Sequence, residues 1–198
     1  EISCSLVGSE MCIRDSVIGN GTMGATLYGG VKKDKISFND ITLWTGEPES
    51  ENSSPDAFNV IPEIRALLDN EDYEGADKAQ YKVQGHYSEN YQPLGTLTIE
   101  YLDDTAGISD YHRWLDIGNA TARTQYLKDG KLFTSDYFAS APDSVIVIRL
   151  KSENKEGIHA LLSFDSPLPY SSQVADNEIS VEGYAAYHSF PVYYKAED

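Results

Sequence analysis

The chain predicts a mainly β protein, a large antiparallel β-sandwich (a super-sandwich) carrying a small helical insertion. Three observations support that expectation. Short apolar–polar alternations recur along most of the 198 residues, the pattern of half-buried strands. Asp129-Gly130 stands between two such alternations, a strong hairpin signal because both residues tolerate positive φ. A helical period is confined to one stretch, residues 59–83.

The elements follow in order. Residues 25–31 and 36–38 read as short strands joined by a turn at Lys32-Lys33-Asp34-Lys35. Residues 47–56, rich in acidic, Ser, Pro and Asn residues, form a surface loop. Asn59 is placed to cap a helix from Val60, with Pro62 in its first turn. Tyr73, Ala76, Ala79 and Val83 share one face of a second helical stretch. Leu97, Ile99 and Tyr101 then alternate with Thr98 and Glu100 as a half-buried strand. Residues 120–127 and 132–138 flank the Asp129-Gly130 turn. Val145-Ile146-Val147-Ile148 is nearly continuous β-branched sequence and reads as a central strand covered on both faces. Residues 158–164 and 179–181 continue the meander, and no internal repeat is visible.

Composition excludes several function classes. With 15 Lys and Arg against 32 Asp and Glu, the net charge is −17. Nucleic acid and anionic membranes are therefore poor partners, because phosphate binding needs clustered cations. No run of eighteen apolar residues is present to span a membrane. The acidity suits a neutral substrate such as a glycan. Residues 1–16 stand apart: they show neither strand nor helix period and hold both cysteines, Cys4 and Cys12. They resemble a translated sequencing adapter and are set aside as non-native. The remaining 17–198 then carries no cysteine, hence no disulfide or thiolate metal site.

Residues 18–48 are the most informative stretch. Glycines are interleaved there with alternating apolar residues, which marks special backbone angles or close approach and not a flexible linker. One motif runs Ile18-Gly19-Asn20-Gly21, Gly24-Ala25 and Gly29-Gly30-Val31. A second runs Asn39-Asp40-Ile41-Thr42-Leu43-Trp44-Thr45-Gly46-Glu47-Pro48. Later come Tyr91-Gln92-Pro93-Leu94-Gly95 and Tyr111-His112-Arg113-Trp114-Leu115-Asp116-Ile117. In this order the motifs resemble the amino-terminal domain of glycoside hydrolase family 95, the inverting α-L-fucosidases and α-L-galactosidases. Two positions depart from that pattern: Ile41 and Thr96 replace acidic residues, so no role passes to them.

The resemblance implies that 17–198 is an incomplete N-terminal β-sandwich of a larger exo-glycosidase, truncated at both ends. It implies a periplasmic or extracellular location, no cofactor, and a glycan substrate taken by an (α/α)6 barrel beyond this chain. Inversion needs a proton donor and a water on opposite faces of the sugar. The resemblance places both in the barrel, so the fragment is expected to be inactive and has no catalytic residue. A stand-alone carbohydrate-binding sandwich is the alternative, and α-L-galactosidase is the alternative within the family.

Four residues in the motifs are candidates for touching sugar: Asn20, Asn39, Trp44 and Gln92. An exposed Trp stacks on a sugar face, and each amide offers a donor and an acceptor to hydroxyls. The competing reading packs Trp44 in the core and leaves Asn20 and Asn39 holding turns. His86, His112, His159 and His188 have no metal-binding spacing, and the Glu47, Glu49, Glu51, Asp56 run lacks a calcium-loop register. Asn52-Ser53-Ser54 and Asn119-Ala120-Thr121 match the common glycosylation acceptor pattern.

Overall fold

The computed structural model describes residues 16–47, 56–84 and 89–189. Residues 1–15 with both cysteines, the Asn52 acceptor, Glu49, Glu51 and His86 lie outside the described residues. The chain divides into two compact units, residues 1–44 with 91–185 and residues 45–90 with 186–198.

The first unit holds the strands. In chain order they are β1 (Ser16–Gly19), β2 (Met23–Leu27), β3 (Lys33–Asp40), β4 (Gly95–Tyr101), β5 (Ile108–Asp116), β6 (Thr121–Lys128), β7 (Lys131–Ser140), β8 (Val145–Ser152), β9 (Ala160–Asp165), β10 (Tyr170–Ala175) and β11 (Glu178–Gly183). They build a five-stranded sheet ordered β1-β2-β3-β4-β9, a four-stranded sheet ordered β5-β6-β7-β8, and the β10-β11 pair. Every pairing is antiparallel. The two larger sheets share one core, as the sandwich expectation requires. Ile18, Leu27, Ile36 and Ile99 enter from the first sheet, and Ala122, Tyr126, Phe133 and Tyr137 from the second. Tyr126 stacks on Phe133 at 4.8 Å between ring centroids, and Tyr101 meets Phe133 edge-on at 5.2 Å. Burying each large side chain of this set contributes about 1.5–3 kcal/mol.

The β6–β7 hairpin turns at Asp129 (φ 52) and Gly130 (φ 74), as the sequence predicts. Two expectations about the strands are corrected. Lys33, Asp34 and Lys35 belong to β3, so the turn falls at residues 28–32. Asp34 faces the core, 1% exposed, because Tyr137 donates to its Oδ2 at 2.5 Å and the Gly30 N–H to its Oδ1 at 3.0 Å. Those two donors let a carboxyl occupy an apolar position. Val145-Ile146-Val147-Ile148 begins β8, which among the described residues pairs only with β7. Ile146, Ile148 and Leu150 pack on the core, while Val145 is exposed.

A further device ties the sheets together. The ladder of β5 shifts register between Ser109 and His112, with Asp110 at φ 49. Beyond that bulge the Tyr111 hydroxyl donates to the Gly29 carbonyl at 2.8 Å, and Arg113 donates to the Tyr28 carbonyl at 2.7 Å. The Tyr111–Ile117 motif thus straps the β2–β3 turn.

The second unit holds the helices α1 (Ala57–Asp69) and α2 (Tyr73–Gln80), then a 3-10 turn (Tyr81–Val83). Helix α1 starts at Ala57, earlier than the Val60 start predicted from an Asn59 cap; Asn59 is inside it and Asp56 makes no side-chain cap. Its first turn is exposed enough for water to satisfy the free N–H groups. Helix α2 is capped by Asp72, which accepts from Gly75 N–H at 2.9 Å, and it buries Ala76 and Ala79.

Candidate functional site

The two N-terminal motifs form adjacent turns at one end of the five-stranded sheet. Asn20 Oδ1 accepts from the Thr22 N–H (3.0 Å) and the Met23 N–H (2.8 Å), and its Nδ2 donates to the Ser140 carbonyl at 2.9 Å. Asn20 therefore holds a turn and pins it to the end of β7. Asp40 Oδ1 accepts from the Thr42 hydroxyl (2.6 Å) and N–H (2.9 Å), and these two donors hold the carboxyl below its usual range. The Ile41 N–H joins the turns by donating to the Thr22 carbonyl at 2.8 Å.

That second turn delivers Trp44 to the surface. Trp44 makes an antiparallel bridge with Tyr91, and the Gln92 N–H donates to the Leu43 carbonyl at 2.9 Å. The Trp44 ring stands edge-on to Tyr91 at 6.2 Å and is 54% exposed. Gln92 is only 7% exposed and belongs to the packed interior. Of the four sequence candidates, Asn39 and Trp44 present their side chains outward; Asn20 is engaged in its turn and Gln92 is buried.

Asn39 opens onto a cleft of about 360 Å³ on the outward face of the five-stranded sheet. Register explains its chemistry. Thr26 pairs with Ser37, and Ser37 with Thr96, so three hydroxyls stand in one row across β2, β3 and β4. Ser37 Oγ and Thr96 Oγ1 are 2.9 Å apart and hydrogen-bonded. Tyr91, Pro93 and Pro167 form the rim. Sequence reasoning missed this row. Its signal was a small hydroxyl at one outward position of each of the three strands, with Thr96 noted there only as a departure.

Comparisons with known proteins fit this architecture. Residues 15–193 match the family model described as glycosyl hydrolase family 65, N-terminal domain. The chain belongs to this family of glycosyl hydrolase N-terminal domains. It is 32% identical over 179 residues to "Alpha-L-fucosidase 2" of Arabidopsis thaliana, covering 88% of this chain and 21% of that protein. It is 30% identical over 145 residues to "Probable alpha-fucosidase A" of Aspergillus niger, covering 69% of the chain and 18% of that protein. A protein of the same name from Aspergillus oryzae is 26% identical over 141 residues, covering 68% of the chain and 19% of its own length. The chain spans about a fifth of the curated relatives it matches. The matched domain model carries the number 65, whereas the motifs resemble family 95; the relatives' names agree with the fucosidase resemblance.

Elsewhere in this hydrolase domain, titratable groups serve the fold. On the outer face of the second sheet Asp136 lies between Arg123 and Arg149, whose guanidinium groups both donate to it. Burial pushes the Asp136 carboxyl up, but the two arginines outweigh it and hold it below its ordinary value. His112 is exposed on β5, and His159 stands 3.9 Å from Asp103. In the second unit His188 lies 2.8 Å from Glu89, whose other oxygen accepts from the Thr45 hydroxyl. Among the described residues no group of three or more His, Cys, Asp or Glu is placed to hold a metal ion.

Proposed function

We propose that this chain is the N-terminal structural domain of an inverting exo-glycosidase resembling α-L-fucosidase, which hydrolyses terminal α-L-fucosides of glycans. The catalytic (α/α)6 barrel lies outside this chain. The observation that carries the reading is the 32% identity, over 88% of the chain, to a protein named Alpha-L-fucosidase 2. The sandwich braces the barrel, and the turns bearing Asn39 and Trp44 help wall the entrance to its active site. The reading also places the enzyme in the periplasm or outside the cell, where glycan side chains are met.

Inverting hydrolysis needs a carboxylic acid on the leaving oxygen and an activated water on the opposite face of the sugar. The cleft beside Asn39 is lined by hydroxyl, amide, aromatic and proline groups, a set suited to holding a sugar and not to proton transfer. The test expresses the complete gene product beside the 198-residue chain and assays both on nitrophenyl α-L-fucoside and α-L-galactoside. The reading expects fucoside hydrolysis by the complete product alone. Faster release of galactose transfers the enzyme to the α-L-galactosidases. Absence of hydrolysis by a complete product that still binds sugar returns the stand-alone carbohydrate-binding sandwich.

A further inference from the structure

We propose that the cleft on the outward face of the five-stranded sheet is a non-catalytic binding site for a single neutral sugar unit. Charge is the first argument. The chain carries a net −17, yet Thr26, Ser37, Asn39, Tyr91, Pro93 and Thr96 line the cleft without one formal charge. Those lining residues offer an anion no cation and a metal ion no carboxylate; the row's next position is the exposed Asp165, paired with Thr96 from β9. A second cleft of the same unit shows the contrast: Asp103, Asp104, Asp129, Lys128 and Lys131 line it, and Lys128 is paired with Asp104 at 2.7 Å.

The hydrogen-bonding inventory is the second argument. Thr26, Ser37 and Thr96 sit side by side on neighbouring strands, with Ser37 Oγ 2.9 Å from Thr96 Oγ1, so the cleft offers a cluster of hydroxyls on one face. The Ser37–Thr96 bond consumes one hydroxyl proton; the other proton and the remaining lone pairs stay free. Asn39 adds an exposed amide, a donor and an acceptor together. A polyol, which carries both functions on each carbon, is the ligand this set satisfies.

Shape is the third. Tyr91 lines the cleft and is 41% exposed, and its ring is held by an edge-on contact with Trp44. The Tyr91 ring beside the hydroxyl row, with Pro93 and Pro167, supplies apolar surface on which the C–H face of a sugar packs. A volume of about 360 Å³ falls near the lower bound of small-molecule sites, which suits one residue of a glycan and not a long chain. The row is carried on paired strands and needs little ordering on binding.

The full chain, labelled with 15N, is titrated with L-fucose and D-galactose, with D-glucuronate as the charged control. The amide signals of Thr26, Ser37, Asn39 and Thr96 should shift together and saturate with the neutral sugars in the millimolar range. Glucuronate should bind at least about tenfold more weakly, repelled by the acidic chain. Tyr91→Ala should raise the half-saturation concentration roughly fivefold, the scale of one lost ring contact. Asn39→Asp, an exposed change that keeps the fold, should weaken both neutral sugars as well. The proposal is overturned if no saturable shift appears up to about 100 mM sugar, if the shifts map elsewhere, or if both variants bind as the native chain does. Such a failure leaves the glycosidase reading intact, because that reading rests on chemistry in the barrel.

Discussion

Gly29 has φ +65, and a Cβ there would stand 2.7 Å from Thr124 Oγ1 and 2.8 Å from Arg113 Cδ. Strain and overlap therefore add, and Gly29→Ala should cost about 2–3 kcal/mol in urea unfolding. Gly130 has a similar φ of +74 with nothing within 4 Å, so Gly130→Ala should cost only about 1 kcal/mol. Equal losses would contradict the strapping role assigned to Tyr111 and Arg113. Two carboxyls respond oppositely to pH. Burial raises Asp34 above 3.8 despite its Tyr137 and Gly30 donors. From that ordinary value up to the raised one, the folded state holds a proton that the unfolded chain has lost, so stability falls as pH rises. Asp34→Asn should therefore gain on the native chain as pH rises above the ordinary carboxyl value. Asp136 is held below 3.8, so its contribution is complete above that value and disappears as pH falls through the depressed one. Asp136→Asn should cost about 2 kcal/mol at neutral pH, a figure discounted because both arginines reach water, and almost nothing in acid. Parallel pH profiles for the two variants would show that one assignment is wrong.

Helix α2 depends on a local cap, and Asp72→Ala should remove about 1 kcal/mol from the unit containing residues 45–90, read as an earlier loss of helical ellipticity on heating. Elements of this local kind were legible in the sequence. Asp129-Gly130 set the β6–β7 turn, and the Leu97, Ile99, Tyr101 alternation set β4, because neighbouring residues alone decide both. Where tertiary partners decide, the sequence misled. Asp34 looked like a turn residue because Tyr137, 103 positions away, supplies its hydrogen bond. The β8 run looked doubly covered because apolar side chains on its outer face do not reveal whether anything lies over them. The strapping by Tyr111 and Arg113 depends on the bulge at Asp110, which has no side-chain pattern. The candidate site was half legible for the same reason. Trp44 and Asn39 sit in recognisable motifs, but the hydroxyl row exists only because β4 pairs with β3 across the whole 45–90 insertion.

At the scale of the molecule, a β-sandwich with motif-bearing turns is joined by family and by identity to proteins several times its length. On the proposed function, Trp44 links the domain to the larger enzyme. In the complete enzyme Trp44→Ala should lower turnover of a glycan several-fold with a stability loss under about 1 kcal/mol, because the ring is already half exposed. A large drop in Tm would instead make Trp44 a packing residue. We propose that the chain belongs to an inverting α-L-fucosidase, and the anomer of the first product decides this. Proton NMR of the complete protein acting on a terminal α-L-fucoside should show β-L-fucose first, with the α anomer growing in only by mutarotation. Initial release of α-L-fucose, or no release of fucose at all, would contradict it.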